Sequence, residues 1–589
     1  MRRDPVFVCV TDAALPLAER LRTRLGGRVM GFADRVPDAP ETFACVARTL
    51  QGLFTAGHPI VPLMAVGAVF RMLAPCNLTD KKSEPPVVVV AQDGSAVVPL
   101  LGGHRGANDL ARAIAGELGI AAAITTASEL AGHRAPDDPP PGWSVIGDTK
   151  IIAADLLAGR GVQAEGDAAD LLDWLPSGDG PTVRAGTSPD DTFVPHVLAL
   201  GVGCERGCDG RELETLARDT LAAHGLTADA VACVVSVDLK ADEGAVHMLA
   251  AALDRPARFL SAGRLEGERH RLANPSEIVF REVGCHGVAE GAALAAAGAD
   301  GRLVVSKRKS ARATVAIARA PAPIVARAVG RARGSLAVVG IGPGQADWRS
   351  PEASRLVDRA TDLVGYSLYL DLVPNDRARR HDFPLGAERD RVRHALKLAG
   401  EGRDVALVCS GDAGIYAMAA LVFEVLEHDD LEDGARRAAV TVAPGISALQ
   451  AAAARAGAPL GHDFCTISLS DLLTPWPVIE QRIAAAAAGD FVIAFYNPVS
   501  KRRRTQLAHA IDVLVAARGP RTPVVLATSL GRDGERVRVL MLGDLRVDDV
   551  DMLTTVIVGS RETRIWKDGA GAAHVYTPRG YAAKVGRVA

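Results

Sequence analysis

Short runs of apolar residues alternate along the chain with amphipathic stretches, and this alternation predicts strands joined by helices. The runs at residues 86–91, 231–237 and 404–409 are apolar at nearly every position, which is typical of parallel strands buried on both faces. Between such runs, apolar residues recur at three- and four-residue spacing, as in residues 351–360, which is the pattern of a helix with one buried face. The chain is therefore predicted to be a multidomain α/β protein.

Two stretches rich in Pro, Gly, Ser and Asp interrupt this pattern and predict the domain boundaries. The two stretches are APDDPPPG at 135–142 and residues 177–191. They lie on either side of one short helical piece at 151–175, so residues 131–190 are predicted to form a small middle module or an elaborated linker. The predicted parts are a first α/β domain at 1–130, the middle module at 131–190, a second α/β domain at 191–320, a linker at 321–334 and a C-terminal α/β region at 335–577.

In the first domain, candidate chemistry lies in the glycine loop LLGGHRGAND. His104 follows the strand predicted at 97–101 and precedes a helix that Asn108 or Asp109 is expected to cap. Open α/β sheets bind ligands at strand ends, so a functional His104 is expected there, with a plain loop role as the alternative. Lys81, beside Asp80, is a second candidate, and a solvated charge pair is its alternative interpretation.

In the second domain, the strand at 231–237 runs into the polar sequence SVDLKADE. Continued strand alternation from Ser236 would place Asp238 and Lys240 on one side of the chain. Of the 67 lysine and arginine residues, only 10 are lysines. A lysine within a compact polar motif therefore suggests a specific role more than a general surface charge would. A polar site at the strand end and a simple ion pair are both consistent with this pattern.

The C-terminal region repeats the strand-and-loop pattern several times. A strand at 335–341 enters a turn in which Gly340, Gly342 and Gly344 surround a proline, and a helix follows with Ser350 as its cap. Later strands enter the loops SGDAGIY, APGISALQ, YNP and TSLGRDGE. Loops of this composition at several strand ends assemble a ligand cleft, although none matches a phosphate-binding or dinucleotide-binding fingerprint.

Composition narrows the possible partners. The 589-residue chain is 48% hydrophobic with a net charge of -3 and a pI of about 6.6, so no nucleic-acid or membrane partner is expected. The longest apolar stretch, 60–70, contains Pro62 and is too short to span a bilayer, and the apolar run near Met1 is too short for a signal peptide. Nine scattered cysteines indicate reduced thiols in a cytoplasmic protein without a bound metal.

Six blocks of the C-terminal region resemble the tetrapyrrole methyltransferases of cobalamin synthesis. They are GIGPG (340–344), SGDAGIY (410–416), APGISALQAAAA (443–454), GHDFCTISLSDLLTPW (461–476), FYNPVSKRR (495–503) and VDMLTTVIVGS (550–560). Within the family, SDLLTPW and YNP look like the precorrin-3B C(17)-methyltransferases. The resemblance covers about residues 335–575 and departs from many relatives at Gln345, where they carry Asp, and at Ala413, where most carry Pro.

This resemblance implies two α/β lobes that bind S-adenosylmethionine as cofactor. The positions that match the family's binding residues are Pro343, Gly411, Asp412, Ala413, Ile415, Ser447, Ala448, Asn497 and Leu530. It also implies methylation of a small-molecule tetrapyrrole at carbon 17, with ring contraction, and a homodimer. Ring contraction needs a general acid or base, for which Asp412, His462 and Asp471 are the candidates.

The first half is similar to the cobalt-precorrin-5A hydrolases, over about residues 45–130 and 196–318 and most specifically at GGHRGAN and DLKADE. The resemblance implies opening of a δ-lactone with release of acetaldehyde, which requires an activated water and stabilisation of an oxyanion. Our hypothesis is that His104 is the base and that Lys81 or Lys240 is its electrostatic partner.

Two alternatives remain open from the sequence. In the first alternative, the first half is a non-catalytic module that binds or delivers the tetrapyrrole. In the second, the C-terminal region methylates another tetrapyrrole, such as uroporphyrinogen III, or a modified protein. SDLLTPW and YNP disfavour the second alternative, while the sequence leaves open whether the macrocycle carries cobalt.

Overall fold

The computed structural model describes residues 4–76, 78, 84–373, 375, 377–500 and 503–581, except for the side chains of residues 104, 129 and 130. The chain divides into two compact units, Met1–Ala332 and Arg333–Ala589. The finer boundaries at residues 130, 190 and 320 stay a prediction. Within the described ranges, no helix is long and apolar enough to cross a membrane.

The first unit contains strands and helices in alternation. Its strands are β1 Val6–Cys9, β2 Arg28–Phe32, β3 Glu41–Phe43, β4 Ile60–Leu63, β5 Val87–Val90, β6 Val97–Leu101, β7 Trp143–Val145, β8 Val162–Glu165, β9 Ser177–Arg184, β10 Phe193–Pro195, β11 Leu198–Cys204, β12 Val231–Val237, β13 Ala257–Leu260, β14 Arg302–Lys309 and β15 Ala313–Arg319. Its α-helices are α1 Leu15–Leu25, α2 Val46–Thr55, α3 Val66–Leu73, α4 Ala107–Leu118, α5 Ala127–Leu130, α6 Lys150–Leu157, α7 Gly210–Ala223, α8 Gly244–Ala252, α9 Ala262–Glu266, α10 Glu277–Val283 and α11 Val288–Ala297.

The first sheet of this unit has the strand order β3-β2-β1-β4-β5-β6. Its strands are parallel except for β6, which runs antiparallel to β5. Alternate residues of β1 point to opposite faces, so Phe7 packs with α1 and α4 while Val8 packs with α2 and α3. The strand is buried on both sides, which explains why every position in it is apolar.

The helix after the candidate histidine begins one turn earlier than its polar residues suggest. Helix α4 starts at Ala107, directly after Gly106, whose φ of 96° is left-handed. The prediction that Asn108 or Asp109 caps this helix is therefore wrong. The Asn108 amide instead donates a hydrogen bond to the Thr126 hydroxyl (3.2 Å).

The middle of the first unit contains more strand than its sequence predicted. The predicted helical piece at 151–175 is a helix only up to Leu157, because Gly159 and Gly161 follow with φ of 76° and 67°. Strands β8 and β9 then pair in parallel, and β7 pairs antiparallel with β10. Trp174 packs edge-on between Trp143 and Phe193, at ring-centroid distances of 6.0 and 5.5 Å.

The second sheet of the first unit has the order β13-β12-β11-β15-β14, in which β15 runs antiparallel to the other four strands. Helices α7 and α8 cover one face, and α9 and α11 cover the other. A Cβ on Gly201 of β11 would lie 2.0 Å from the Ala289 carbonyl oxygen, so α11 approaches this strand closely.

The second unit contains three sheets. Its strands are β16 Ser335–Gly340, β17 Asp362–Tyr366, β18 Arg379–Phe383, β19 Asp404–Cys409, β20 Ala439–Ala443, β21 Gly457–Ala458, β22 Phe464–Ser468, β23 Val492–Tyr496, β24 Pro523–Thr528, β25 Arg536–Met541, β26 Thr554–Val558, β27 Arg564–Lys567 and β28 Ala573–Tyr576. Its α-helices are α12 Pro351–Arg359, α13 Ser367–Leu370, α14 Glu388–Gly400, α15 Met418–His428, α16 Asp433–Arg436, α17 Ala448–Ala456, α18 Trp476–Ala488 and α19 Thr505–Arg518.

Strand direction in the second unit decides which loops meet. The first sheet, β18-β17-β19-β16-β20, is parallel throughout, so the loops after the neighbours β19, β16 and β20 leave from one edge. In the next sheet, β22-β23-β26-β24-β25, strand β26 runs against both β23 and β24. Strands β23 and β24 therefore point the same way and also end at one edge. The predicted α/β fold with several sheets is confirmed.

Candidate functional site

Four glycines bring the strand-end loops of the parallel sheet into backbone contact. Gly342 and Gly411 exchange two backbone hydrogen bonds, of 3.1 and 2.8 Å. A Cβ on Gly445 would lie 2.1 Å from the Gly411 carbonyl oxygen, and a Cβ on Gly340 would lie 2.7 Å from the same oxygen. A side chain at these positions would separate the loops, which explains the glycines in three of the sequence blocks.

Asp412 links two of these loops through its carboxylate. One carboxylate oxygen accepts a hydrogen bond from the Gly414 amide (2.8 Å), and the other accepts one from the Gly445 amide (3.1 Å). Its neighbour Ala413 is fully buried, while the Ile415 side chain remains 37% exposed. The loop therefore exposes the Ile415 side chain, while the Asp412 carboxylate holds the loop backbone in place.

The loop after β20 ends in a well-capped helix. Ser447 is buried and caps α17, where it forms a capping box with Gln450. Ala448 is the first residue of that helix, and the Leu449 amide donates to the Tyr496 hydroxyl (3.1 Å). Burial raises the pKa of Tyr496, so this hydroxyl stays protonated at neutral pH.

The second edge of loops carries Asn497 and Leu530. Asn497 follows β23 with a φ of 49°, and its amide donates to the Ser468 hydroxyl (3.1 Å). Leu530 follows β24 and is buried among apolar residues that include Leu449. The two residues leave parallel-running strands at the same sheet edge.

Arg532 joins this second edge to the first, and the sequence analysis did not single it out. Its guanidinium donates to the Pro343 carbonyl oxygen (3.0 Å) and to the Ser410 hydroxyl (3.0 Å). A Cβ on Gly344 would lie 2.4 Å from the Gly531 carbonyl oxygen, so the two loops are also in close backbone contact. The sequence pattern that could have indicated Arg532 is a single arginine within the glycine-containing loop TSLGRDGE.

The structure thus assembles the predicted cofactor positions from both edges of the second unit. Their loops are joined by the glycine contacts, by Asp412, by Tyr496 and by Arg532. The other two acid–base candidates have partners outside these loops: His462 lies 3.4 Å from Asp463, and Asp471 accepts a hydrogen bond from Gln506 (3.0 Å). The assignment of individual roles stays a prediction.

The candidates of the first unit are less favourably placed. Lys81 lies outside the described residues. The His104 backbone forms a short 3-10 turn, Gly103–Arg105, between two left-handed glycines, and its side chain lies outside what the structure describes. Leu101 at the end of β6 pairs with Val87 at the start of β5.

This register corrects the expected position of the histidine loop. Because β6 is antiparallel, the loop after it leaves from the amino end of β5, not from the carboxyl edge where open α/β sheets bind ligands. The connection from β5 to β6 is a short turn at 91–96, which is too short for the crossover that a parallel strand would need. The catalytic role of His104 stays a prediction, and the position of its loop in the sheet does not support it.

Lys240 lies at the carboxyl end of β12, but not in the predicted conformation. The strand ends at Val237, and Asp238–Lys240 forms a 3-10 turn, so the expected strand alternation of Asp238 and Lys240 is wrong. The Lys240 ammonium lies 3.7 Å from the carboxylate of Glu243, whose side chain is 5% exposed. The ion pair that the sequence left as an alternative is present in the structure.

The comparisons with known proteins agree with this architecture. Residues 335–546 match the family described as Tetrapyrrole (Corrin/Porphyrin) Methylases. Residues 48–129 and 198–318 match the families described as Cobalamin synthesis G N-terminal and Cobalamin synthesis G C-terminus.

Three curated relatives match the C-terminal unit. A probable cobalt-factor III C(17)-methyltransferase of Salmonella typhimurium is 46% identical over 248 residues, which are 42% of this chain and 99% of the relative. A precorrin-3B C(17)-methyltransferase of Sinorhizobium is 44% identical over 252 residues, 42% of this chain and 98% of the relative. The cobalamin biosynthesis protein CobIJ of Mycobacterium bovis is 46% identical over 253 residues, 42% of this chain and 48% of the relative.

The chain belongs to the tetrapyrrole methylase family, and its first unit contains segments that match both cobalamin synthesis G families. The resemblance predicted for each half is thereby confirmed. The chain spans about half the length of the CobIJ relatives that it matches.

Proposed function

We propose that the second unit transfers a methyl group from S-adenosylmethionine to carbon 17 of precorrin-3B, or of its cobalt form, and contracts the ring to give precorrin-4. The observation that carries this proposal is the match of the unit, over nearly their whole length, to two relatives named as C(17)-methyltransferases. One of their names specifies a cobalt macrocycle and the other does not, so both substrates belong to the proposal.

The residues present fit this cofactor. The glycine contacts leave backbone groups, not side chains, at the loop edges, and Ile415 provides an exposed apolar surface beside them. The residues that would hold it are Pro343, Gly411, Asp412, Ala413, Ile415, Ser447, Ala448, Asn497 and Leu530. When bound, S-adenosylmethionine supplies an electrophilic methyl group on a sulfonium, which needs no strong base to become reactive.

The protein's own contribution is therefore orientation and exclusion of water. The two hydrogen bonds that Asp412 accepts fix the loops after β19 and β20 relative to each other. A carboxylate has lone pairs beyond these two bonds, so Asp412 also remains able to accept a proton during ring contraction.

For the first unit, we propose opening of the δ-lactone of cobalt-precorrin-5A with release of acetaldehyde. Both halves of the cobalamin synthesis G match support it. A non-catalytic tetrapyrrole-binding role is the alternative, and the position of the His104 loop at the amino end of β5 favours it. A homodimer and a cytoplasmic location stay predictions.

The methyl-transfer proposal is tested with the full chain, precorrin-3B and S-adenosylmethionine labelled with ¹³C at the methyl carbon. We expect one labelled methyl group in the product, and Asp412→Ala should lower kcat by about 10²-fold or more. Asp548→Ala is the matched control, because its side chain is 94% exposed and lies in the same unit. Labelling of uroporphyrinogen III in place of precorrin-3B would contradict the proposal.

A further inference from the structure

The first unit contains a buried histidine that a carboxylate holds in place. His286 is 3% exposed, and its Nδ1 lies 2.9 Å from both oxygens of Glu266. The His286 backbone amide also donates to Glu266 (2.9 Å), so the carboxylate fixes both the ring and its backbone. The hydrogen bond from His286 lowers the pKa of Glu266, which keeps this partner ionised.

The other ring nitrogen of His286 faces a partner that is more exposed to solvent. Its Nε2 lies 3.3 Å from Glu277, whose side chain is 74% exposed and has water as a ready alternative partner. The Phe280 ring stacks on the imidazole at 4.4 Å with an interplanar angle of 24°, which fixes the plane of the ring. Glu266 thus holds Nδ1, and Nε2 can accept a proton when the Glu277 side chain rotates away from it.

A cavity of about 440 Å³ opens at this nitrogen, lined by Arg269, His270, Pro275, Glu277 and His286. Arg269 and His270 are exposed there, and the Arg269 guanidinium lies 3.8 Å from Glu277. An arginine beside a histidine suits the carboxylates of an acidic ligand, since guanidinium groups bind carboxylates through two parallel hydrogen bonds. Tetrapyrroles with acetate and propionate side chains are ligands of this kind.

This cavity belongs to the carboxyl edge of the second sheet. Helix α9, which carries Glu266, starts immediately after β13, with Ser261 as its cap. A Cβ on Gly203, near the carboxyl end of β11, would lie 3.4 Å from the side chain of Val288, which places the start of α11 at this edge. Open α/β sheets bind their ligands at this edge, unlike the edge from which the His104 loop leaves.

We infer that His286 is the general base that activates water in the first unit, positioned by Glu266, with Arg269 and His270 binding carboxylates of the tetrapyrrole. The inference rests on the proposed lactone opening and specifies its catalytic group. Nothing in the spacing of the sequence marked this histidine.

The step balances without any further reactant. His286 Nε2 takes a proton from water while the water oxygen bonds to the lactone carbonyl carbon. The bond between that carbon and the ring oxygen then breaks, and the leaving oxygen takes the proton back from the imidazolium. The new hydroxyl group then gives up its proton and becomes the carbonyl group of acetaldehyde, while the bond from its carbon to the macrocycle breaks and the macrocycle carbon takes that proton. One water is consumed, and a carboxyl group and one acetaldehyde are formed.

The test measures acetaldehyde release from cobalt-precorrin-5A by the full chain, from pH 5 to 9, with methyl transfer by the other unit measured in the same samples. We expect His286→Gln to lower kcat for acetaldehyde by about 10²-fold or more with methyl transfer unchanged. His224→Gln, at the end of α7 and outside the cavity lining, is the matched control and should keep full activity.

Two further variants separate catalysis from a structural role. Glu266→Gln should displace the acidic limb of the pH profile, because it removes the carboxylate that faces Nδ1 of His286. The other charged or titratable groups that face His286 are Glu277, Arg269 and His270, with Cys285 and Asp238 nearby. Arg269→Gln, at an exposed position, should raise KM several-fold with little change in kcat, whereas Arg281→Gln on α10 should change neither.

The possible results are distinct. A folded His286→Gln variant with the kcat of the wild type would overturn the inference and leave the lactone-opening proposal standing. If His286→Gln does not fold, an unchanged pH profile in Glu266→Gln together with an unchanged KM in Arg269→Gln would overturn it. Wild-type protein that methylates but releases no acetaldehyde would contradict the hydrolase function itself and with it a catalytic His286.

Discussion

At the scale of single residues, His196 couples the stability of the first unit to pH. Burial, and then the charge of Arg255, lower the pKa of His196 from 6.5 to about 4. Its Nε2 lies 2.8 Å from the Ser144 hydroxyl. Between pH 6.5 and 4 the unfolded chain binds a proton here and the folded chain does not, so folding loses stability as the pH falls through this window.

We therefore expect the neutral histidine to contribute stability that is fully present above pH 6.5 and lost towards pH 4, on the order of 3 kcal/mol. Scanning calorimetry at pH 7 and pH 4.5 should show a smaller loss of Tm for His196→Gln than for the wild type. His428→Gln, whose side chain is 68% exposed, is the control and should behave as the wild type does. Equal losses of Tm in all three proteins would contradict the expectation.

Single residues also show where sequence reasoning succeeds and where it stops. Asp412 could be selected as a candidate because it lies within SGDAGIY, a contiguous block that is recognisable as a sequence motif. His286 was missed because its partner Glu266 is 20 residues away and only the fold brings them together. Arg532 was missed for the same reason, since its partner Pro343 is 189 residues away.

At the scale of elements, strand order and direction decide which loops form a site. The parallel order of β19, β16 and β20 brings their three loops to one edge, and glycines let those loops touch. Apolar runs predicted these strands well because buried parallel strands are apolar on both faces. Direction is not encoded in such runs, which is why the antiparallel turn before β6, and with it the position of the His104 loop, was not foreseen.

Gly445→Ala tests this arrangement of elements. A methyl group 2.1 Å from the Gly411 carbonyl oxygen has to push the two loops apart, and overpacking of this kind costs about 1–3 kcal/mol. We expect binding of S-adenosylhomocysteine to the full chain, measured by calorimetry, to weaken by more than about tenfold. Gly569→Ala is the control, because a Cβ there meets nothing within 4 Å. Unchanged binding by Gly445→Ala would show that the loop contact is not part of the site.

At the scale of the whole molecule, one chain carries matches to two kinds of cobalamin-synthesis protein. Each unit has its own sheets and its own buried cores. The sequence predicted both resemblances from dense local blocks. Residues 131–190, which suggested a small module or an elaborated linker, contain the strands β7, β8 and β9, which the Pro- and Gly-rich composition did not predict.

The central claim is that this single chain catalyses two reactions of one pathway. The most direct measurement is acetaldehyde release from cobalt-precorrin-5A by the purified full chain, in parallel with methyl transfer from S-adenosylmethionine to precorrin-3B. The account predicts both activities in the same preparation. Methyl transfer without acetaldehyde would contradict it and would mean that the first unit binds or delivers the tetrapyrrole instead of hydrolysing it.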